Sequence, residues 1–123
     1  MDKRKVICDK VHGVLDYGVV AMFAAAPSQL GITGASATLC YILAFCQLAV
    51  TLCSDMPLGW KKLIPMRIHG LLELTSSLAL IAVGWILPDV FGSGQLFFTL
   101  IGAIIFFVWV SSDYGDKQLP ASA

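Results

Sequence analysis

Long apolar blocks, separated by short polar stretches, dominate the pattern of residues along the chain. Four such blocks run from about Val11 to Ala26, Ala35 to Cys53, Pro65 to Leu87 and Gln95 to Ser111. A helix needs about 20 residues to cross a bilayer, with about 17 as the lower limit. No block shows the period-2 alternation of a barrel strand. The pattern therefore predicts an all-α membrane protein with four transmembrane helices in one domain, residues 1–123.

The basic residues all lie on one predicted side of these four spans. They precede span one, flank the connection between spans two and three, and follow span four: Lys3, Arg4, Lys5, Lys10, Lys61, Lys62, Arg67 and Lys117. None falls in the loops 27–34 and 88–94. Cytoplasmic loops carry the excess of Lys and Arg. We therefore expect a multi-pass protein of the inner membrane with both termini and the central connection in the cytoplasm.

Composition narrows the class of protein further. Hydrophobic residues make up 58% of the chain and charged residues only 13%, against about a quarter charged in a soluble domain. Too few charges are present to cover a water-exposed surface, so we expect the lipid bilayer to be a partner. The formal net charge is zero, which gives no indication of nucleic-acid binding.

The two halves of the chain repeat one template. The H-G-x-L-(D/E) motif of residues 12–16 returns 57 positions later at residues 69–73. A P-x-x-(L/F)-G turn occurs at 27–31 and 88–92, and a Ser-Asp pair at 54–55 and 112–113. Each half is therefore predicted to form a helical hairpin. Repeat 1 covers about 6–55 and repeat 2 about 63–113, and a polar tail follows at 114–123. We expect each proline to end a helix and each turn glycine to supply a permissive position.

Because each half crosses the membrane twice, the two hairpins point the same way and form a parallel repeat. The expected pseudo-two-fold axis lies along the membrane normal. The polar residues His12, Asp16, His69 and Glu73 then meet around that axis, about one helical turn from the cytoplasmic surface. Gly13 and Gly70, which directly follow the two histidines, are expected to let neighbouring helices approach closely.

The chain resembles the small bacterial integral membrane proteins built from SPW repeats. The resemblance is carried by Val11 to Tyr17, Pro27 to Gly31, Asp55, residues 63–66, His69 and Pro88 to Gly92. At the signature tripeptide the chain has Ala26-Pro27-Ser28 and Leu87-Pro88-Asp89, without tryptophan. The resemblance implies a bacterial inner-membrane four-helix protein and supplies no reaction.

The two His-acid pairs admit four interpretations. In the first, each acid holds its own histidine, i to i+4 on one helix face, and the four residues form a network that fixes helix rotation. In the second, two imidazoles and two carboxylates bind a divalent metal, with His12 and His69 as candidate ligands. The Glu-x-x-His spacing of carboxylate bundle sites is absent. In the third, the two histidines, which are the only ones in the chain, hold a haem b. In the fourth, the cluster begins a proton or ion relay.

Two acidic residues are predicted to lie at helix C-termini, where the helix dipole disfavours an anion. We expect Asp55 and Asp113 to find cationic partners, Arg67 among them, on the cytoplasmic face. The four cysteines form no C-x-x-C motif, and no catalytic triad or phosphate-binding loop is present.

These features favour a non-catalytic membrane protein that acts by self-association, as a homo-oligomer, or as an accessory subunit of a membrane complex. No cofactor is predicted in this interpretation. A haem- or metal-binding protein, and a small proton or ion transporter formed by oligomerisation, are the alternatives.

Overall fold

A computed structural model describes residues 7–112, and 81% of these are helical, with no strand among them. The helices are α1 (Asp9–Leu30), α2 (Gly34–Leu52), α3 (Met66–Ile86), the short α4 (Pro88–Phe91) and α5 (Gln95–Ser111), with a 3-10 turn at Gly92–Gly94 between the last two. The predicted bounds of the second, third and fourth blocks agree with α2, α3 and α5 to within one residue. The all-helical class is confirmed.

The first helix is longer than predicted, because Pro27 does not end it. Pro27 lies inside the last turn of α1, and the helix continues to Leu30. The chain turns at Gly31, whose φ of 69° lies in the left-handed region that favours glycine. The amide of Ile32 then donates to the Pro27 carbonyl at 3.1 Å, which satisfies a carbonyl at the helix end.

The predicted loop at 88–94 is also wrong in part, since it folds into α4 and the 3-10 turn. Pro88 does end α3, and it begins α4 at a position where its missing N–H is no loss. Gly92 has ordinary right-handed helical dihedrals, so it supplies no special turn conformation. Ser93 joins this turn to the turn of the first half, donating from Oγ to the Thr33 carbonyl at 2.9 Å.

Three segments are long and apolar enough to cross a membrane: Gly34–Leu52, Met66–Ile86 and Pro88–Ser111. Large apolar side chains lie exposed along them, including Phe45 (73% exposed), Leu96 (70%) and Phe107 (66%). So much exposed apolar surface is unusual for a soluble protein and is typical of a membrane contact. The chain is therefore a helical protein with membrane-compatible helices. Helix α1, which carries Asp9, Lys10 and Asp16, is not among the three.

Close helix packing occurs within each hairpin, α1 against α2 and α3 against α5. The core that joins them contains Phe23, Cys40, Leu80 and Phe98. A Cβ added at Gly102 would lie 2.8 Å from the Ser77 carbonyl oxygen, so α5 approaches the backbone of α3 only because that position is glycine. The hairpins approach each other less closely, which leaves room between them.

The connection between α2 and α3 folds back against the end of α2. In the predicted topology this end of the helices faces the cytoplasm. The amides of Leu63 and Ile64 both donate to the Cys53 carbonyl, at 2.9 and 2.7 Å. The Tyr17 hydroxyl of α1 donates to the Leu58 carbonyl at 2.8 Å. A Cβ at Gly13 would meet Leu58 Cδ1 at 3.0 Å, so Gly13 accommodates this connection. The expectation that Gly13 admits a neighbouring helix is corrected accordingly.

Candidate metal centre

Helices α1 and α3 bring the four predicted polar residues together. His12 and Asp16 lie one turn apart on the inner face of α1, and His69 and Glu73 lie one turn apart on the inner face of α3. Their exposed fractions are 1%, 2%, 0% and 6%, respectively. Groups of this kind are costly inside a membrane unless they face the protein interior and each other, and here they do both.

Four donor atoms converge on one point, namely Nε2 of each histidine and one oxygen of each carboxylate. Asp16 Oδ2 lies 3.2 Å from His12 Nε2 and 3.0 Å from His69 Nε2. Glu73 Oε2 lies 3.1 Å from His12 Nε2 and 3.3 Å from His69 Nε2. The two Nε2 atoms are 3.4 Å apart. All four atoms lie within 4.8 Å of one another.

Each acid therefore contacts both histidines, and its shorter contact is with the histidine of the other helix. Each acid contacts the histidine of its own helix as expected, at 3.2 and 3.3 Å, and the contacts between helices are slightly shorter. The helical i to i+4 spacing places each pair on one face, but the meeting of the two faces makes a single four-residue cluster. We call His12, Asp16, His69 and Glu73 the tetrad.

The spacing within the tetrad is close to that of a zinc site. Zinc binds imidazole nitrogen and carboxylate oxygen at about 2.0–2.1 Å in a tetrahedron, which separates the donor atoms by about 3.3–3.4 Å. Five of the six donor–donor distances fall between 3.0 and 3.4 Å, and the sixth, between the two carboxylate oxygens, is at most 4.8 Å. Each histidine nitrogen thus already lies at about the spacing of metal ligands from both carboxylate oxygens.

The far side of each histidine ring is held by a serine. His69 Nδ1 lies 2.6 Å from Ser54 Oγ, and His12 Nδ1 lies 2.8 Å from Ser112 Oγ. Each serine belongs to the half of the chain opposite to its histidine. Metal-binding histidines almost always donate their second ring N–H to such a group, which fixes the ring and its tautomer.

The hydrogen bonds of Ser54 determine which nitrogen of His69 carries hydrogen. The Ser54 hydroxyl donates its only hydrogen to the Val50 carbonyl at 2.6 Å. It must therefore accept from His69 Nδ1–H. In the neutral ring, His69 Nε2 then presents its lone pair to the carboxylate oxygens, which are acceptors themselves. Facing lone pairs repel unless a proton or a metal ion lies between them.

Asp16 depends on the same two rings. Its Oδ2 is fully buried and lies 3.2 Å from His12 Nε2 and 3.0 Å from His69 Nε2. This oxygen is satisfied only if a hydrogen on these nitrogens, or an ion, lies between them. The donor set of two imidazoles and two carboxylates suits a first-row divalent metal.

Two of the predicted charge partners, Asp55 and Arg67, are not paired with each other in the described part of the chain. Asp113 lies outside the described residues. The backbone of Asp55 has a structural role instead, since its amide donates to the Ile64 carbonyl at 2.8 Å.

The sequence interpretation missed the two serines. The Ser-Asp pairs at 54–55 and 112–113 form a repeated ending in the sequence, but the helix-dipole argument concerns only their aspartates. The same repeat could have identified the serines. Each serine follows the second helix of one half and contacts the histidine of the other half. No family model, curated protein or solved structure significantly matches this chain.

Proposed function

We propose that this chain is a four-span membrane protein that binds one divalent transition-metal ion, with zinc the best fit, between its two helical hairpins. The observation that carries the proposal is the convergence of four buried donor atoms, in which each histidine nitrogen lies within 3.3 Å of both carboxylate oxygens. The tetrad supplies the ligands, and Ser54 and Ser112 orient the two imidazoles. No reaction is proposed for the ion.

Electrostatics supports an ion over a purely hydrogen-bonded network. Two neutral histidines and two carboxylates carry a charge of −2, which a divalent cation neutralises. A network without metal needs an extra hydrogen on His69 Nε2 or on a facing carboxylate oxygen, because His69 Nδ1 already carries one. If the His69 ring carries both hydrogens, it is positively charged and lies 3.4 Å from His12 Nε2. A divalent ion satisfies both imidazoles and both carboxylates without this extra proton.

The haem alternative receives less support from the same distances. A haem held by both histidines would lie between the two rings. Oxygen atoms of Asp16 and Glu73 are already within 3.3 Å of both Nε2 atoms, and they fill the space that a porphyrin plane would need. The metal ion uses these oxygens as ligands, whereas haem would have to displace them.

The arrangement of the halves is part of the proposal. We place the two hairpins around a pseudo-two-fold axis along the membrane normal, with the tetrad on that axis near the cytoplasmic surface. Matched contacts favour this arrangement: Ile7 donates its amide to the Ser111 carbonyl at 3.0 Å, and Ile64 to the Cys53 carbonyl at 2.7 Å. A bound ion would link α1 to α3 and would suit a bacterial inner-membrane subunit that acts by association.

Metal analysis of the purified protein tests the proposal. We expect about one zinc per chain after isolation in zinc-containing medium, and cobalt substitution should give the visible spectrum of a tetrahedral site. Asp16→Asn should abolish stoichiometric binding. Asp89→Asn removes an exposed carboxylate on α4 and serves as the matched control, which should bind normally. A wild-type protein that binds neither metal at micromolar concentration would refute the metal site, and a Soret band would favour haem.

A further inference from the structure

A cavity of about 200 Å³ lies beside the tetrad, between α2 and α3. Its inner end is formed by His69 and Glu73, and its side walls include Cys46, Gln47 and Ser76. The rest of the lining is apolar. Glu73 is the most exposed member of the tetrad, at 6%, because this cavity reaches it.

The two halves of the chain carry different side chains at two positions near this cavity. Shifted by the repeat spacing, Gln47 corresponds to Ile105, and Ser76 corresponds to Val19. Ile105 and Val19 are buried, at 7% and 6% exposed, and Ile105 also contributes to the lining of the cavity. Gln47 is half-buried and Ser76 is exposed. The α2–α3 side thus carries polar residues where the other half carries branched apolar ones.

Apolar packing alone does not account for this difference. Filling the α2–α3 side with isoleucine and valine, as on the other side, would bury more apolar surface and stabilise the bundle. The chain instead leaves a void that reaches two donor residues. A void of this kind beside a metal ligand is the usual form of a small-molecule site, with apolar walls and a few convergent polar groups.

We propose that the α2–α3 cavity binds one small molecule that coordinates the metal ion through a nitrogen or oxygen atom. The inference rests on the metal site proposed above. Zinc sites sometimes expand from four to five ligands, and the cavity reaches the tetrad at His69 and Glu73, from which a fifth ligand would approach. Its volume is that of roughly six or seven water molecules, at about 30 Å³ each, so an uncharged five-membered aromatic ring fits within it.

Imidazole is the probe for the experiment, because its nitrogen coordinates metals and its ring suits apolar walls. The protein is loaded with cobalt in detergent, and imidazole is titrated while the visible spectrum is recorded. We expect a saturable spectral change, since the absorption of cobalt depends on its coordination number. Metal analysis after desalting checks that cobalt remains bound throughout.

The closing variant exchanges the two polar lining residues for their counterparts, Gln47→Ile with Ser76→Val. It should retain cobalt and bind imidazole at least tenfold more weakly. The matched control, Gln47→Ala with Ser76→Ala, removes the same polar groups without adding bulk and should bind imidazole like the wild type. If the closing variant loses cobalt, Ser76→Val alone decides the question.

The two proposals fail in different ways. A wild-type protein that binds no cobalt refutes the metal site. A cobalt-loaded wild-type protein whose spectrum is unaffected by imidazole refutes the cavity site alone, as does a cobalt-loaded closing variant that binds imidazole as tightly as the wild type.

Discussion

Removal of two tetrad residues from different helices should destabilise the protein no more than removal of one. The pair Asp16→Ala and His69→Ala gives the sharpest case, since their 3.0 Å contact is the shortest in the tetrad. A ligand present at 100 times its Kd stabilises the folded state by about 2.7 kcal/mol. Either single change removes a metal ligand and with it most of that stabilisation. The double variant has no further metal binding to lose.

The magnitudes separate this result from independent effects. In zinc buffered at 100 times Kd, each single variant should lose about 2.7 kcal/mol and the double variant about the same, whereas additive losses would reach about 5.4 kcal/mol. In chelator, only the hydrogen-bonded coupling remains, at about 1 kcal/mol. The within-helix pair His12→Ala and Asp16→Ala should behave alike, because all four residues hold one ion.

Thermal unfolding in detergent, with zinc or with chelator, measures both cycles. Asp89→Asn is the control for loss of a carboxylate outside the tetrad and should leave the zinc-dependent shift unchanged. Strictly additive losses in zinc, in both cycles, would refute the reasoning. They would mean that the paired residues act independently and that no ion joins them.

Three further predictions follow from other parts of the chain. Alkaline-phosphatase fusions after Gly31 should be active and those after Trp60 inactive, because the basic residues predict a cytoplasmic central connection; the reverse pattern would overturn the predicted topology. Ser54→Ala should weaken zinc binding by about 10- to 100-fold, the usual effect of removing the group that orients a histidine ligand, and a chelator competition titration would show an unchanged Kd if the serine is unimportant. Gly59→Ala should lower the melting temperature, because its Cβ would overlap the Ser54 carbonyl oxygen, whereas Gly92→Ala, which meets open space, should not.

Sequence periodicity predicted the helices well because hydrophobic length is a local property. The α2, α3 and α5 bounds follow from apolar run length and flanking turns. Pro27 shows the limit of such rules, since a proline in a last helical turn loses a single hydrogen bond and the chain continues to Leu30. Whether a proline ends a helix depends on what the following residues contact, and that contact is not local.

The tetrad could be predicted as a set, but its geometry could not. The repeated i to i+4 spacing placed each His-acid pair on one face, and symmetry suggested that the faces meet. Which acid lies nearer to which histidine depends on helix rotation and axial shift between α1 and α3. A difference of one ångström there decides between two separate pairs and one tetrahedral cluster. The serines escaped notice because their partners lie in the opposite half of the chain.

Neither hairpin contains more than two members of the tetrad, and this has a consequence for biosynthesis. While the first hairpin is in the membrane and the second is still on the ribosome, only His12 and Asp16 are available, and two ligands hold zinc weakly. Tight binding under the proposed function must wait until α3 has been inserted and has turned His69 and Glu73 toward α1. Metal uptake would then be a late step of maturation, and the zinc content of a preparation would count the chains in which both hairpins have assembled.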